Sequence, residues 1–149
     1  MPSRMTTPIR VVTDRISAKA KVQLQVIANT LCYVGEQCLI EARNNGNYTD
    51  RTGNLRSSIG YAVVMNGQIV QSDHVEKVKD GNDGVSDGVA FLQERIKKAK
   101  KRGVCLIVTA GMNYAEYVEA KGYTVLSSAE LKAPTLVKQL LTQLGFTCR

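Results

Sequence analysis

The sequence has no tryptophan and only two phenylalanines, and aromatics make up 5% of its residues. An aromatic platform on which bases or sugars stack is therefore not expected. Histidine is as scarce, His74 being the single one, and the four cysteines, Cys32, Cys38, Cys105 and Cys148, form no CxxC pair. The ligand spacing of a zinc site is missing, so free thiols in a reducing cytosol are expected. Cys32 and Cys38 would share one helix at a spacing that sets them on different sides, and they are not expected to pair. No apolar run approaches the roughly 20 residues that span a bilayer, so no membrane contact is expected. The first dozen residues hold two prolines and two arginines without an apolar core, unlike a secretory leader.

Catalytic signatures are missing as well. There is no GxSxG elbow, no GxxxxGK[ST] loop and no HExxH pair, and neither an enzyme nor a cofactor is expected. Asp80, Asn82 and Asp83 do not make a calcium loop, because Gly84 and Val85 stand where that pattern needs an oxygen-bearing side chain and then glycine. Glu116 and Glu119 are three apart and could share a helix face as paired carboxylates. A cap for Glu116 and an ion pair for Glu119 explain them more simply.

What is present is a chain of 149 residues with a net charge of +7. That length suits one domain, and the charge favours an acidic partner, nucleic acid or protein. Pro2 and Pro8 predict an extended arm over residues 1–12, followed by one α+β domain over residues 13–149. From Thr13 or Asp14 a helix is expected to run to about Asn44, with Ile16, Ala20, Leu24, Ile27, Leu31, Val34, Cys38 and Ala42 forming one apolar stripe. Such a helix is longer than a compact domain of this size covers. Part of it projects or packs on a partner, or else it bends or ends early near Gly35.

Alternating residues 58–65 and 68–75, joined by Asn66 and Gly67, predict a β hairpin. Residues 77–88 have a loop composition, and Asp87 would cap a basic middle helix through about Arg102. Lys97, Lys98, Lys100, Lys101 and Arg102 end that helix, either as a solvated face or as a patch facing DNA or an acidic ring neighbour. Residues 104–109 predict a strand covered on both faces. Asn113 with Glu116, and Ser127 with Glu130, match reciprocal helix caps. Between them residues 123–126 read as a short last strand, and after them a C-terminal helix runs through Leu136, Val137, Leu140, Leu141 and Leu144, kinked or started by Pro134. The expected fold class is thus α+β, a long N-terminal helix packed on a small, mostly antiparallel sheet with a β hairpin, plus a basic middle helix and a C-terminal helix.

Two stretches go beyond this. Arg51, Thr52, Gly53, Asn54, Leu55, Arg56, Ser57, Ser58 and Ile59, followed by Tyr114, Ala115, Tyr117, Val118, Glu119 and Gly122, resemble the paired signature of the HK97 gp10-like family of tailed-phage neck and tail-completion proteins. The resemblance implies a non-enzymatic structural virion protein at the head-tail junction, assembled in the cytoplasm of a bacterial host. It implies a homo-oligomeric ring, sixfold or alternatively twelvefold, that meets the connector or head-closure protein and the tail tube and has passing contact with DNA. Compared with that family, residues 77–103 look like an insertion of loop and basic helix. In physical terms Gly53 permits a tight turn and Asn54 can bond its own backbone. Leu55 and Ile59 should enter the core, Arg51 and Arg56 should bridge to an acidic residue such as Glu119, within or between subunits, and Tyr114 and Tyr117 suit a core edge or an interface. The competing class is a basic nucleic-acid-binding accessory protein of a phage or prophage.

Overall fold

The computed structural model of the chain describes residues 8–147. The first helix, α1 (Ile9–Asn44), has 36 residues, which at 1.5 Å per residue makes it about 54 Å long. Residues 1–7 of the expected arm lie outside the described residues, and the part from Ile9 to Val12 is helical rather than extended. Pro8 explains the earlier start: it occupies the N-cap with φ −57°, and at a helix entry its missing N–H removes no intrahelical bond. Thr13 is an interior residue, and its hydroxyl donates back to the Ile9 carbonyl at 2.9 Å.

Gly35 neither ends nor breaks α1. It is buried against the ring of Tyr61, where an added Cβ would stand 2.6 Å from a ring carbon. Glycine here serves close approach between helix and sheet. The apolar stripe is covered only in its second half. Val34, Cys38 and Ala42 are buried, Leu24, Ile27 and Leu31 are partly covered, and Ile16 and Ala20 lie open to solvent.

The chain then makes a single turn of helix, α2 (Asn54–Ser57), and enters the hairpin of β1 (Ile59–Met65) and β2 (Gln68–His74). Asn66 and Gly67 both have positive φ, 52° and 83°, as the expected two-residue turn requires. β3 (Val104–Ala110) completes an antiparallel sheet of order β2-β1-β3. The central strand β1 is buried along almost its whole length, because helices cover both of its faces. Tyr61 meets α1, its hydroxyl donating to Glu36 at 2.6 Å and accepting from Gln71 at 2.6 Å, while Gly60 meets Leu92 on the opposite side.

Leu92 belongs to α3 (Asn82–Lys97). This helix begins within the expected loop and ends before the expected Arg102. The glycines misdirect a compositional reading: Gly84 and Gly88 are interior helix positions pressed against Asn54 and Ser58. α3 is consequently a full layer of the domain, packed on α2, β1 and β3. A six-residue helix, α4 (Ala115–Ala120), follows β3, and the chain closes with α5 (Ser127–Gln143) alongside α1. Pro134 lies inside α5 and does not begin it. Residues 123–126 form no strand, for a reason given by Glu119 below. Neither expected reciprocal cap forms, since Tyr114 and Leu126 hold the N-cap positions without side-chain cap bonds.

Candidate functional site

Residues 50–59 turn the chain from helix to sheet, and their geometry depends on a residue the sequence did not single out. Asp50 is 6% exposed. One carboxylate oxygen accepts the Gly53 N–H at 3.0 Å and the other accepts the Arg56 N–H at 2.9 Å. These are donors at the start of α2 that have no partner inside the helix, so a carboxylate satisfies them with a favourable charge. The recoverable signal was an Asp three residues before a glycine, a spacing at which the side chain can bond the turn it opens.

Gly53 sits at φ 81°, in the left-handed region that side chains disfavour. Asn54 does not fold onto its own turn as expected. Its side chain accepts the Gly84 N–H at 3.1 Å, and the Ser57 hydroxyl accepts the Val78 N–H at 2.9 Å. The corner is therefore tied to the entry of α3. Leu55 and Ile59 are in the core, as their apolarity suggested.

Within the chain, among the described residues, the expected ion pair of Arg51 or Arg56 with an acidic residue such as Glu119 does not form. Arg51 is exposed. Arg56 donates to the Gly46 carbonyl at 2.9 Å and lies over the Tyr48 ring at 4.6 Å, which fixes the turn that ends α1. Burial pushes the Tyr48 hydroxyl up to about 12, against the opposing pull of Arg56. Tyr48 thus stays a neutral prop.

Glu119 spends its charge on backbone. A single carboxylate oxygen accepts the N–H groups of Val125, Leu126 and Ser127 at 3.0, 2.5 and 2.9 Å. Desolvation alone would raise its pKa, but these donors outweigh it and hold the carboxyl below its ordinary range. The same bonds take the amides that a strand over residues 123–126 would have needed. Glu119 is in effect the cap of α5. Gly122, at φ 89°, makes the reversal that brings Glu119 back to its partners.

Tyr114 and Tyr117 stay at the surface, Tyr117 being 63% exposed with Lys121 over its ring at 5.1 Å. Burial and then the charge of Asp50 raise the Tyr114 hydroxyl above its usual value. The Thr124 N–H donates to Asn47 at 2.6 Å. Leu55 and Ile59 of one stretch and Ala115 of the other share one core cluster, while the hydrogen bonds of Asp50, Asn54 and Glu119 run within each stretch or to flanking segments.

The basic residues lie elsewhere. α3 stops at Lys97, so Lys98, Lys100, Lys101 and Arg102 occupy its C-terminal turn and the link to β3 rather than a helical face. Lys98 pairs with Glu94 at 2.7 Å, and Lys97, Lys100, Lys101 and Arg102 are exposed. Lys101 stands beside Gly67 at the hairpin tip. A strand of seven residues separates this end of β1 from the 50–59 corner, about 23 Å at 3.3 Å per residue.

Cys32, Cys38 and Cys105 are free thiols, and burial is the main cause that raises Cys32 and Cys38. Cys148 lies outside the described residues. Among the described residues no three His, Cys, Asp or Glu side chains gather as a metal site, and no helix is long and apolar enough to cross a membrane. Comparison of the chain with protein family models, curated proteins and solved structures gives no match.

Proposed function

We propose that the chain is a structural subunit of a ring at the neck or tail terminus of a tailed phage. The observation that carries this is the uncovered half of α1. Ile9, at 72% exposure, and Ile16, at 64%, continue the stripe that Val34 and Cys38 bury inside the domain. An apolar stripe in phase with the core, on a helix that outruns its own domain, is built to be covered by another chain. A ring of identical subunits joins unlike patches and closes by rotation, and a protruding arm supplies one such patch. The two motif stretches act as buttresses that set the angle between this arm and the sheet. The partners are further copies, sixfold or twelvefold, together with the connector or head-closure protein and the tail tube protein.

Light scattering and negative-stain imaging of the purified chain test this. Closed rings are expected, alone or with connector or tail protein. A chain that stays monomeric with both would refute it.

A second class, a nucleic-acid-binding accessory protein, is favoured by one observation, the exposed cluster of Lys97, Lys100, Lys101 and Arg102. Replacing Lys97, Lys98, Lys100 and Lys101 by Glu separates the two. If DNA binding is the function, affinity falls and the slope of log K against log salt flattens by about 0.9 for each phosphate that is no longer neutralised. If ring formation is the function, the variant assembles as the parent does.

A further inference from the structure

The sheet has two edges, and the chain protects only one of them. β2 has a shifted register opposite Val63 and Val64, and the Asp73 carboxylate takes the N–H of His74 at 2.8 Å. Bulges and local caps of this kind keep foreign strands off an edge. β3 has neither device. Its register with β1 is unbroken from Val104 to Ala110, and it contains no charge and no proline.

The direction of its free groups follows from the strand ends. Gly111 donates to Ser58 at 3.0 Å and Gly103 accepts from Asn66 at 2.8 Å, so odd-numbered residues bond to β1. The N–H and C=O groups of Leu106 and Val108 therefore point away from the sheet. Among the described residues no hydrogen bond outside the β1 ladder reaches them.

Open space flanks that edge on both faces. On the α1 and α5 side lies a groove of about 620 Å³, lined by Leu106, Val108, Leu126, Ala133 and Val137. On the α3 side lies a second of about 370 Å³, lined by Ile107, Thr109 and Glu116, and it shares Val108 and Leu126 with the first. Thr109 is 6% exposed and its hydroxyl has no partner, an unusual state for a buried polar atom. The two grooves bracket the place a fourth strand would take.

We propose that the β3 edge is a strand-acceptor site for an extended segment of a different protein. The segment pairs its backbone with Leu106 and Val108. Alternate apolar side chains lie beneath α5, and an intervening hydroxyl or amide side chain reaches Thr109. Unpaired backbone groups call for a polypeptide, and the apolar groove on one side with an orphan hydroxyl on the other calls for alternation. This chain's own strands do not serve. β2 is blocked at its edge, and the β3 of a second copy would bring the α1 and α3 layers that pack on it into the space the added strand would share with α5. The site does not depend on ring formation, and a monomer would bind as well.

The probe is a capped peptide of about nine residues alternating valine and threonine, with a terminal lysine for solubility. Titration of the full chain, followed by amide exchange, should show saturable binding and about tenfold slower exchange at Leu106 and Val108. Val108→Pro removes an outward N–H, which an edge strand tolerates, together with a valine that packs on both core clusters; it should abolish binding while the chain still melts cooperatively at a lower temperature. Ala133→Arg, which fills the groove beneath α5, should weaken binding at least tenfold and serves if the proline variant fails to fold. Absence of saturable binding would overturn the proposal, as would protection elsewhere or binding indifferent to both substitutions. Protection of Leu106 and Val108 without peptide, accompanied by a dimer in light scattering, would overturn it in favour of self-pairing.

Discussion

Glu119 holds α5 in place through its charge, so its protonation is coupled to folding. Its carboxyl titrates below the ordinary 4.5 in the folded chain. On acidification the unfolded chain takes up the proton first, and the stability Glu119 contributes is present above that value and lost as pH falls through the folded one. Glu119→Gln should cost about 2 kcal/mol in urea unfolding at neutral pH, in the range for hydrogen bonds to a charged group. The variant should also lose stability less steeply than the parent below pH 4.5. An unchanged acid slope would mean that the three N–H bonds do not depend on charge. Glu119 was visible in the sequence as part of a motif, but its role was not. The expected partner was an arginine, and the actual partners are backbone amides, which carry no sequence signature.

The glycines of α3 show how an element hides in composition. Gly84 and Gly88 mark residues 77–88 as loop by the ordinary rules, yet they lie inside a helix, and glycine stands there because the corner backbone passes too close for a side chain. In an exposed helix Gly88→Ala would stabilise by about 1 kcal/mol. Here the new Cβ would stand 2.6 Å from the Ser58 carbonyl oxygen, and backbone does not yield as a flexible side chain does. Overpacking wins, and the variant should lose about 2 kcal/mol in thermal or urea unfolding. Equal or greater stability would show that α3 shifts freely on the sheet. The hairpin and the long helix were legible because their signals are local: positive-φ residues at Asn66 and Gly67, and a stripe at helical spacing. The start of α3, the loop over residues 123–126 and the cap at Asp50 depend on how distant segments meet, which local pattern does not carry.

At the scale of the whole molecule, α1 is both core and arm. Ile16→Glu places a charge on the open part of the stripe, so the melting temperature should stay within about 0.5 kcal/mol of the parent in equivalent stability. If the proposed ring closes through this stripe, its assembly should be lost. A large drop in melting temperature would instead place Ile16 in the fold of the single chain. The same continuity has a consequence for the order of events. A helical segment as short as the arm is marginal alone in water, because its first turn must be nucleated. Here the turns from Ala28 to Ala42 are already held by the core, and the arm only propagates from them. An unfolded chain has no such template and presents no ordered stripe. In the proposed ring, folding would thereby act as a checkpoint for recruitment, since only a folded copy presents the stripe.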